Sequence, residues 1–217
     1  MIIDCVTVGD MGENCYLAGD PSCLLMIDPG DEAEKILSYI TQKNYTIGYI
    51  VLTHCHFDHT GAVAEVLKKT GAKLVLGAGE AENYKDKNVT LGGFFSSAPV
   101  YCVPDILLHE NEEVVSGRYR FKVLETPGHT SGSICLVCED VLFSGDTLFC
   151  GSIGRTDFPT GSLPALIASV RDKLFTLPDE TRVYPGHGGA STIGFEKEHN
   201  EVYEWERRNC ESLGGLA

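Results

Sequence analysis

Between His54 and His59, the stretch Thr53-His54-Cys55-His56-Phe57-Asp58-His59-Thr60-Gly61 packs three imidazoles and one carboxylate into six residues. Imidazole nitrogen and carboxylate oxygen suit borderline divalent cations such as Zn²⁺, and they also suit iron. His54 and His56 are two apart, so in extended backbone they point the same way. Asp58 and His59 lie further along and can face a second point. One short segment can therefore offer donors to two neighbouring cations. The chain has only 7 histidines, and scattered surface or core histidines would not place three of them here.

Three further stretches offer donors of the same kind. Thr126-Pro-Gly-His129-Thr130 follows a predicted strand and lifts a histidine on a Pro-Gly turn. Phe143-Ser-Gly-Asp146-Thr147 sets a carboxylate at a strand end, and Tyr184-Pro-Gly-His187-Gly188 repeats the Pro-Gly-His device. Each is weak alone; together with residues 53–61 they place five of the 7 histidines at strand ends. His109 and His199 fall outside the pattern and read as surface residues.

The elements around these donors can be read from periodicity. Tyr49-Ile50-Val51-Leu52 is a β-favouring apolar run and predicts a buried strand. Ala62, Val63, Val66 and Leu67 recur at helical spacing, which predicts a helix over 60–70 with Thr60 as cap and Gly71 as stop. The donor cluster therefore sits at a strand-to-helix turn. Strands are also expected at 2–8, 14–18, 22–27, 47–52, 73–76, 118–125, 133–137, 141–143 and 182–184. Helices are expected at 31–43, 79–84, 163–175 and 195–208, the last polar and acidic with a solvated face, and residues 86–104 read as an irregular loop. Strands in two batches, each followed by helices, suggest two sheets packed face to face with helices outside. A three-layer α/β arrangement would give a similar pattern.

At 217 residues the chain is expected to form a single domain spanning 1–217. A hydrophobic content of 43% and a charged content of 22% are ordinary for a globular protein. The net charge of −14 argues against nucleic acid as the main partner. Met1-Ile-Ile-Asp-Cys-Val-Thr has no basic segment or long apolar run, so no secretion signal is expected, and no run is long enough for a membrane span. The 9 cysteines then read as reduced thiols in a cytoplasmic protein, Cys135 and Cys138 as core and Cys55 as packing near the donors.

These motifs, His-x-His-x-Asp-His followed by separate His, Asp and His, resemble the metallo-β-lactamase superfamily over roughly residues 7–199. Gly145-Asp146-Thr-Leu-Phe149 and Gly154-Arg155-Thr-Asp157-Phe158-Pro159 are similar to its glyoxalase II-like, hydroxyacylglutathione-hydrolase-like branch. The resemblance implies an α/β fold, a four-layer αβ/βα sandwich with two packed mixed sheets and helices outside. It implies that His54, His56 and His129 bind a first metal, that Asp58, His59 and His187 bind a second, and that Asp146 bridges them. Two Zn²⁺ per chain are expected, with iron or manganese as alternatives. Such a pair, about 3.5–4 Å apart, can share a hydroxide at neutral pH and stabilise an oxyanion. Asp58 would also orient that nucleophile.

The implied activity is hydrolysis of a thioester such as S-D-lactoylglutathione, or of a related small ester, since a thiolate leaves with little acid assistance. Arg155 stands where the glyoxalase II pattern has a basic residue that helps hold glutathione. Its fork can grip a carboxylate bidentately, or it can pair with Asp157 and only shape the loop. Phe158 can line the acyl pocket or join the core. Contacts from the C-terminal helical domain of full-length glyoxalase II are not expected here. The commonest zinc lactamase classes would carry other residues at some of the seven positions, so antibiotic hydrolysis is not the first expectation. An iron-dependent, persulfide dioxygenase-like oxygenase is the alternative, and a module keeping metals only for structure is a third reading.

Overall fold

Strand Cys23–Ile27 has four consecutive buried aliphatic residues, and they divide between two cores. Leu24 and Met26 join one hydrophobic cluster, Leu25 and Ile27 another. This is the two-residue period of a strand covered on both faces. The same division separates Ile50 and Leu52 from Val51, and Leu74 and Leu76 from Val75. The structure, a computed structural model, describes residues 1–93 and 99–202.

The first sheet runs in the order β1 (Ile2–Val8), β2 (Glu13–Asp20), β3 (Cys23–Ile27), β4 (Ile47–Leu52), β5 (Lys73–Gly77) and β6 (Ile106–Leu108). Its first three strands form an antiparallel meander, and β3 to β6 are parallel. The second sheet contains β7 (Glu113–Ser116), β8 (Tyr119–Glu125), β9 (Ile134–Cys138) and β10 (Val141–Gly145). A small hairpin, β11 (Leu148–Phe149) and β12 (Ser152–Ile153), leaves the layers before β13 (Arg182–Pro185) and β14 (Ser191–Thr192) extend the second sheet beyond β10.

Between the sheets, Ala18, Leu25, Val51 and Val75 meet Phe121, Val123, Leu136 and Phe143. Helices α1 (Ala33–Lys43) and α3 (Val63–Thr70) cover the outer face of the first sheet through Ile36, Ile40, Val63 and Val66. A single helical turn, α2 (Phe57–Thr60), stands between them. Helices α4 (Leu163–Asp172) and α5 (Ile193–His199) cover the second sheet, where Ile167, Val170 and Ile193 pack with Cys135, Leu142 and Val183. The expected four-layer sandwich is the fold, with mixed sheets and helices outside both.

Topology collects the donor loops. Strands β8, β9 and β10 are antiparallel in turn, and β13 is parallel to β10. Strands β8, β10 and β13 therefore run the same way, and the loops with His129, Asp146 and His187 leave from one edge. The backbone bond from Ile134 N to Thr53 O, 2.9 Å, brings the end of β4 to that edge.

Several expectations need correction. The helix expected over 60–70 is two pieces, because Thr60 Oγ1 donates back to His56 O (3.0 Å) and caps nothing; Ala62 occupies the cap of α3. Gly71 does stop it, in the left-handed region. Helix α1 begins at Ala33, after Glu32 turns left-handed. Strands β6 and β7 form where no strand was expected, as short edge strands whose exposed residues Leu107 and Val115 obscure the pattern. The helix expected over 163–175 breaks after Asp172 into a 3-10 turn, Leu174–Thr176. Of the acidic terminal helix, Glu196 is buried rather than solvated: it accepts from Gly151 N (2.9 Å) and Asn200 Nδ2 (2.7 Å). The remainder of that helix beyond residue 202, like residues 94–98 of the expected loop, lies outside the described residues. Cys135, Cys138 and Cys55 are buried as expected.

Candidate metal centre

The donors converge. His54, His56 and His129 each present an atom within 4.8 Å of the others, and so do Asp58, His59 and His187. His129 Nε2 lies 2.9 Å from His56 Nδ1, and His59 Nε2 lies 3.2 Å from His187 Nε2. Asp146 stands between the groups. Its Oδ1 is 3.3 Å from His59 Nε2, and its Oδ2 is 3.6 Å from His129 Nε2 and 3.7 Å from His187 Nε2. Asp58 Oδ2 is 3.3 Å from His187 Nε2. All seven residues expected from the sequence thus meet in one place. Arg155 and Phe158 line the cavity in front of them, and His109 and His199 stay exposed elsewhere.

Each loop is held by specific contacts. Gly128, at φ 143°, precedes His129 with its α-carbon against the backbone of α4 at Leu166, where a β-carbon would collide. A β-carbon on Gly186 would strike Asp146 Oδ1 and His59, so this glycine keeps the donors together. The Pro-Gly-His turn is stapled to β2. Asn14 Nδ2 donates to Pro185 O (3.1 Å) and Gly188 O (3.0 Å), and Tyr16 Oη donates to Pro185 O (2.8 Å).

The outward ring nitrogens aim the rings. His129 Nδ1 donates to Arg155 O (2.8 Å), which turns Nε2 inward. His59 Nδ1 meets Asp28 Oδ2 at 3.0 Å, and His187 Nδ1 meets Met11 O at 3.2 Å. Asp28 also stands within reach of His54 and His59 as a donor. Its oxygens are already committed: Oδ1 accepts Thr53 N (2.7 Å), and Oδ2 takes Thr53 Oγ1 (2.5 Å) as well as His59. It therefore orients rather than ligates. The inward atoms are different, for His54 Nε2 and Asp146 Oδ1 are buried with no hydrogen-bond partner. Buried polar atoms without partners are costly, and a cation would satisfy these. The residues present fit a metal.

The electrostatics divide the groups. Burial, then the neighbouring imidazoles, hold His54 well below the ordinary histidine range, and His56 down at about 3. Burial also opposes a charge on His59, yet Asp146 and Asp28 outweigh it and raise that histidine well above its usual value. His187 is raised in the same way by Asp58 and Asp146 against burial. Asp146, though buried, is held well below the usual carboxylate range by His59. Burial works against the charge of Asp58 too, but the bond to His187 prevails and lowers it.

Three residues that support the site were not recognised from sequence. Asp28 reads as a turn residue in Asp28-Pro29-Gly30; its position at a strand end was the available signal. Glu80 is fully buried and ties two donor loops together, its Oε1 accepting Cys55 N (3.0 Å) and its Oε2 accepting Thr130 Oγ1 (3.0 Å). Glu13 lies 4.0 Å from His59 Nδ1 with both oxygens unpartnered, and burial raises it well above the carboxylate range. Nothing in the local sequence distinguishes Glu80 or Glu13 from surface glutamates.

Known proteins share this arrangement. Residues 8–187 match the model of the metallo-β-lactamase superfamily. The chain is 38% identical over 197 residues to the Bacillus subtilis "Probable metallo-hydrolase YqgX", covering 89% of this chain and 93% of that one. It is 34% identical to the Haemophilus influenzae "Hydroxyacylglutathione hydrolase GloC", covering 92% and 97% respectively. The crystal structure of BLEG-1, a B3 metallo-β-lactamase, superposes with a TM-score of 0.87 at 34% identity, over 92% of this chain and 98% of that one. That of TTHA1623 in a di-iron-bound form gives 0.81 at 36% identity, over 91% and 98%. Fold, donor convergence and sequence agree that this chain belongs to the metallo-β-lactamase superfamily, a superfamily of metallo-hydrolases.

Proposed function

We propose that the chain hydrolyses a thioester, such as S-D-lactoylglutathione, or a related small ester. His54, His56 and His129 would hold one cation, Asp58, His59 and His187 a second, and Asp146 both, with zinc as the expected metal. A di-iron form of a similar protein keeps iron open as the metal. Bound there, a cation pair would supply Lewis acidity and lower the pKa of a water toward about 7. The protein's own part is orientation and proton handling. The carboxylate of Asp58, charged at neutral pH beside His187, can accept a proton from the attacking water. Burial of the donors keeps bulk water from His54 and His59.

The observation that carries the reading is Asp146, whose two oxygens face the two donor groups at 3.3 Å and 3.6 Å. Metal analysis of the purified protein, paired with turnover of S-D-lactoylglutathione and simple thioesters, tests it. Two cations per chain with thioester hydrolysis are expected. One iron per chain with oxygen uptake would instead support the oxygenase alternative. The likeness to a B3 metallo-β-lactamase makes a chromogenic cephalosporin the next substrate to assay.

A further inference from the structure

The cavity in front of the donors has a volume of about 420 Å³, within the range of small-molecule sites. Its walls are apolar on both sides. Phe158 stands edge-on to His56, ring centroids 5.8 Å apart, and Phe149 edge-on to His187 at 6.2 Å. Leu91, Phe57 and Ile153 complete the wall. An aromatic ring thus flanks each donor group, so whatever lies on either side of the reacting carbonyl meets hydrocarbon.

The cavity's one basic side chain, apart from histidines, is Arg155 among the described residues, and it is already engaged. Its Nε and an Nη each donate to Asp157 at 2.7 Å, and its guanidinium lies 3.9 Å over the Phe158 ring. The side-on edge of the fork is committed to Asp157, whose carboxylate offsets the guanidinium charge, so a substrate carboxylate would meet a neutralised pair rather than a free cation. The net charge of −14 further disfavours a polyanion approaching this surface.

We infer that the substrate is a neutral thioester with an apolar acyl group of several carbons, and that Arg155 serves as a flat cover over Phe158 rather than as an anion receptor. This rests on the hydrolase reading above and narrows its substrate class. The reaction breaks the acyl C–S bond and forms a C–O bond to the oxygen of water. One proton of that water ends on the thiol, the other is released to solvent, and the acyl group leaves as a carboxylate.

N-acetylcysteamine thioesters with acetyl, butyryl, hexanoyl and phenylacetyl groups, assayed beside S-D-lactoylglutathione on the metal-loaded protein, test the inference. kcat/KM should rise about threefold per added methylene until the cavity is full, as apolar burial predicts. Phenylacetyl should exceed lactoylglutathione. A profile flat across the acyl series, or a preference for lactoylglutathione, overturns the inference while leaving the hydrolase reading intact. In Asp157→Asn the freed Arg155 should shift the lactoylglutathione-to-hexanoyl ratio of kcat/KM upward about fivefold; an unmoved ratio overturns the role given to the pair. If no thioester is cleaved, the hydrolase reading fails. Binding then decides the pocket separately: calorimetry of the metal-free protein should find hexanamide at least about tenfold tighter than acetamide, and equal affinities overturn the apolar pocket.

Discussion

The two donor groups share Asp146 but differ in charge. Around His54 and His56, burial and then the neighbouring imidazoles keep the rings neutral. Around His59 and His187 the neighbours include Asp146, Asp58 and Asp28, which favour protonated rings. In the second group the carboxylates strengthen the rings' hold on a proton that a cation would have to displace; His54 and His56 are shifted the other way. The groups also differ in support. Glu80 holds the loops of His54, His56 and His129 only, whereas Asp28 braces His59 and also Thr53 beside His54. The contrast suggests that a neighbouring carboxylate both attracts a metal and retains the proton that opposes it.

Asp146→Ala breaks the comparison outright by removing what the groups share. Turnover should fall by about a thousandfold or more, since several kcal/mol of charge stabilisation are lost, and metal analysis should find fewer than two cations per chain. Comparable turnover with full metal content would show that the groups act independently. Removing a support should weaken the groups it holds. Glu80→Ala should cost about 10–100-fold in affinity at the His54, His56 and His129 group alone, and Asp28→Ala the same at both groups. Competition with a chromophoric chelator measures both, and equal weakening of both groups by Glu80→Ala contradicts the division.

Acid should separate the groups more gently. With His59 and His187 raised, a cation must expel their protons. Affinity at their group should drop about tenfold per pH unit for each proton displaced as pH falls below the raised values. His54 and His56, already neutral, should show no such slope over the same interval. Calorimetry in buffers of different ionisation enthalpy counts the protons released. The smallest effect is expected at His109, which lies on the surface away from the donors; His109→Ala should leave metal content and turnover unchanged, and a lost cation there would redraw the site.

Much of the site was legible because its residue types are rare and their places conspicuous. His54, His56, Asp58 and His59 announce themselves by density, and His129 and His187 by the repeated Pro-Gly-His device. Arg155 was legible only as two alternatives; the structure shows the pair with Asp157, with the side chain still lining the cavity. Phe158 lines the cavity and is not in the core. Glu80, Glu13 and Glu196 were illegible, because burial of a glutamate depends on what packs over it. Strands β6 and β7 escaped for a related reason: edge strands alternate weakly when one face is wet.

The sequence by itself determined the donor set, the strand periods and the turns that lift His129 and His187, since these depend on residue type and near-neighbour spacing. Only the tertiary structure decided which donors share a neighbour, which carboxylates have their oxygens already committed, and that Arg155 pairs with Asp157 at the cavity. Those outcomes are distances between segments far apart in the chain, set by strand order and loop packing, and electrostatic effects depend on such distances and on burial.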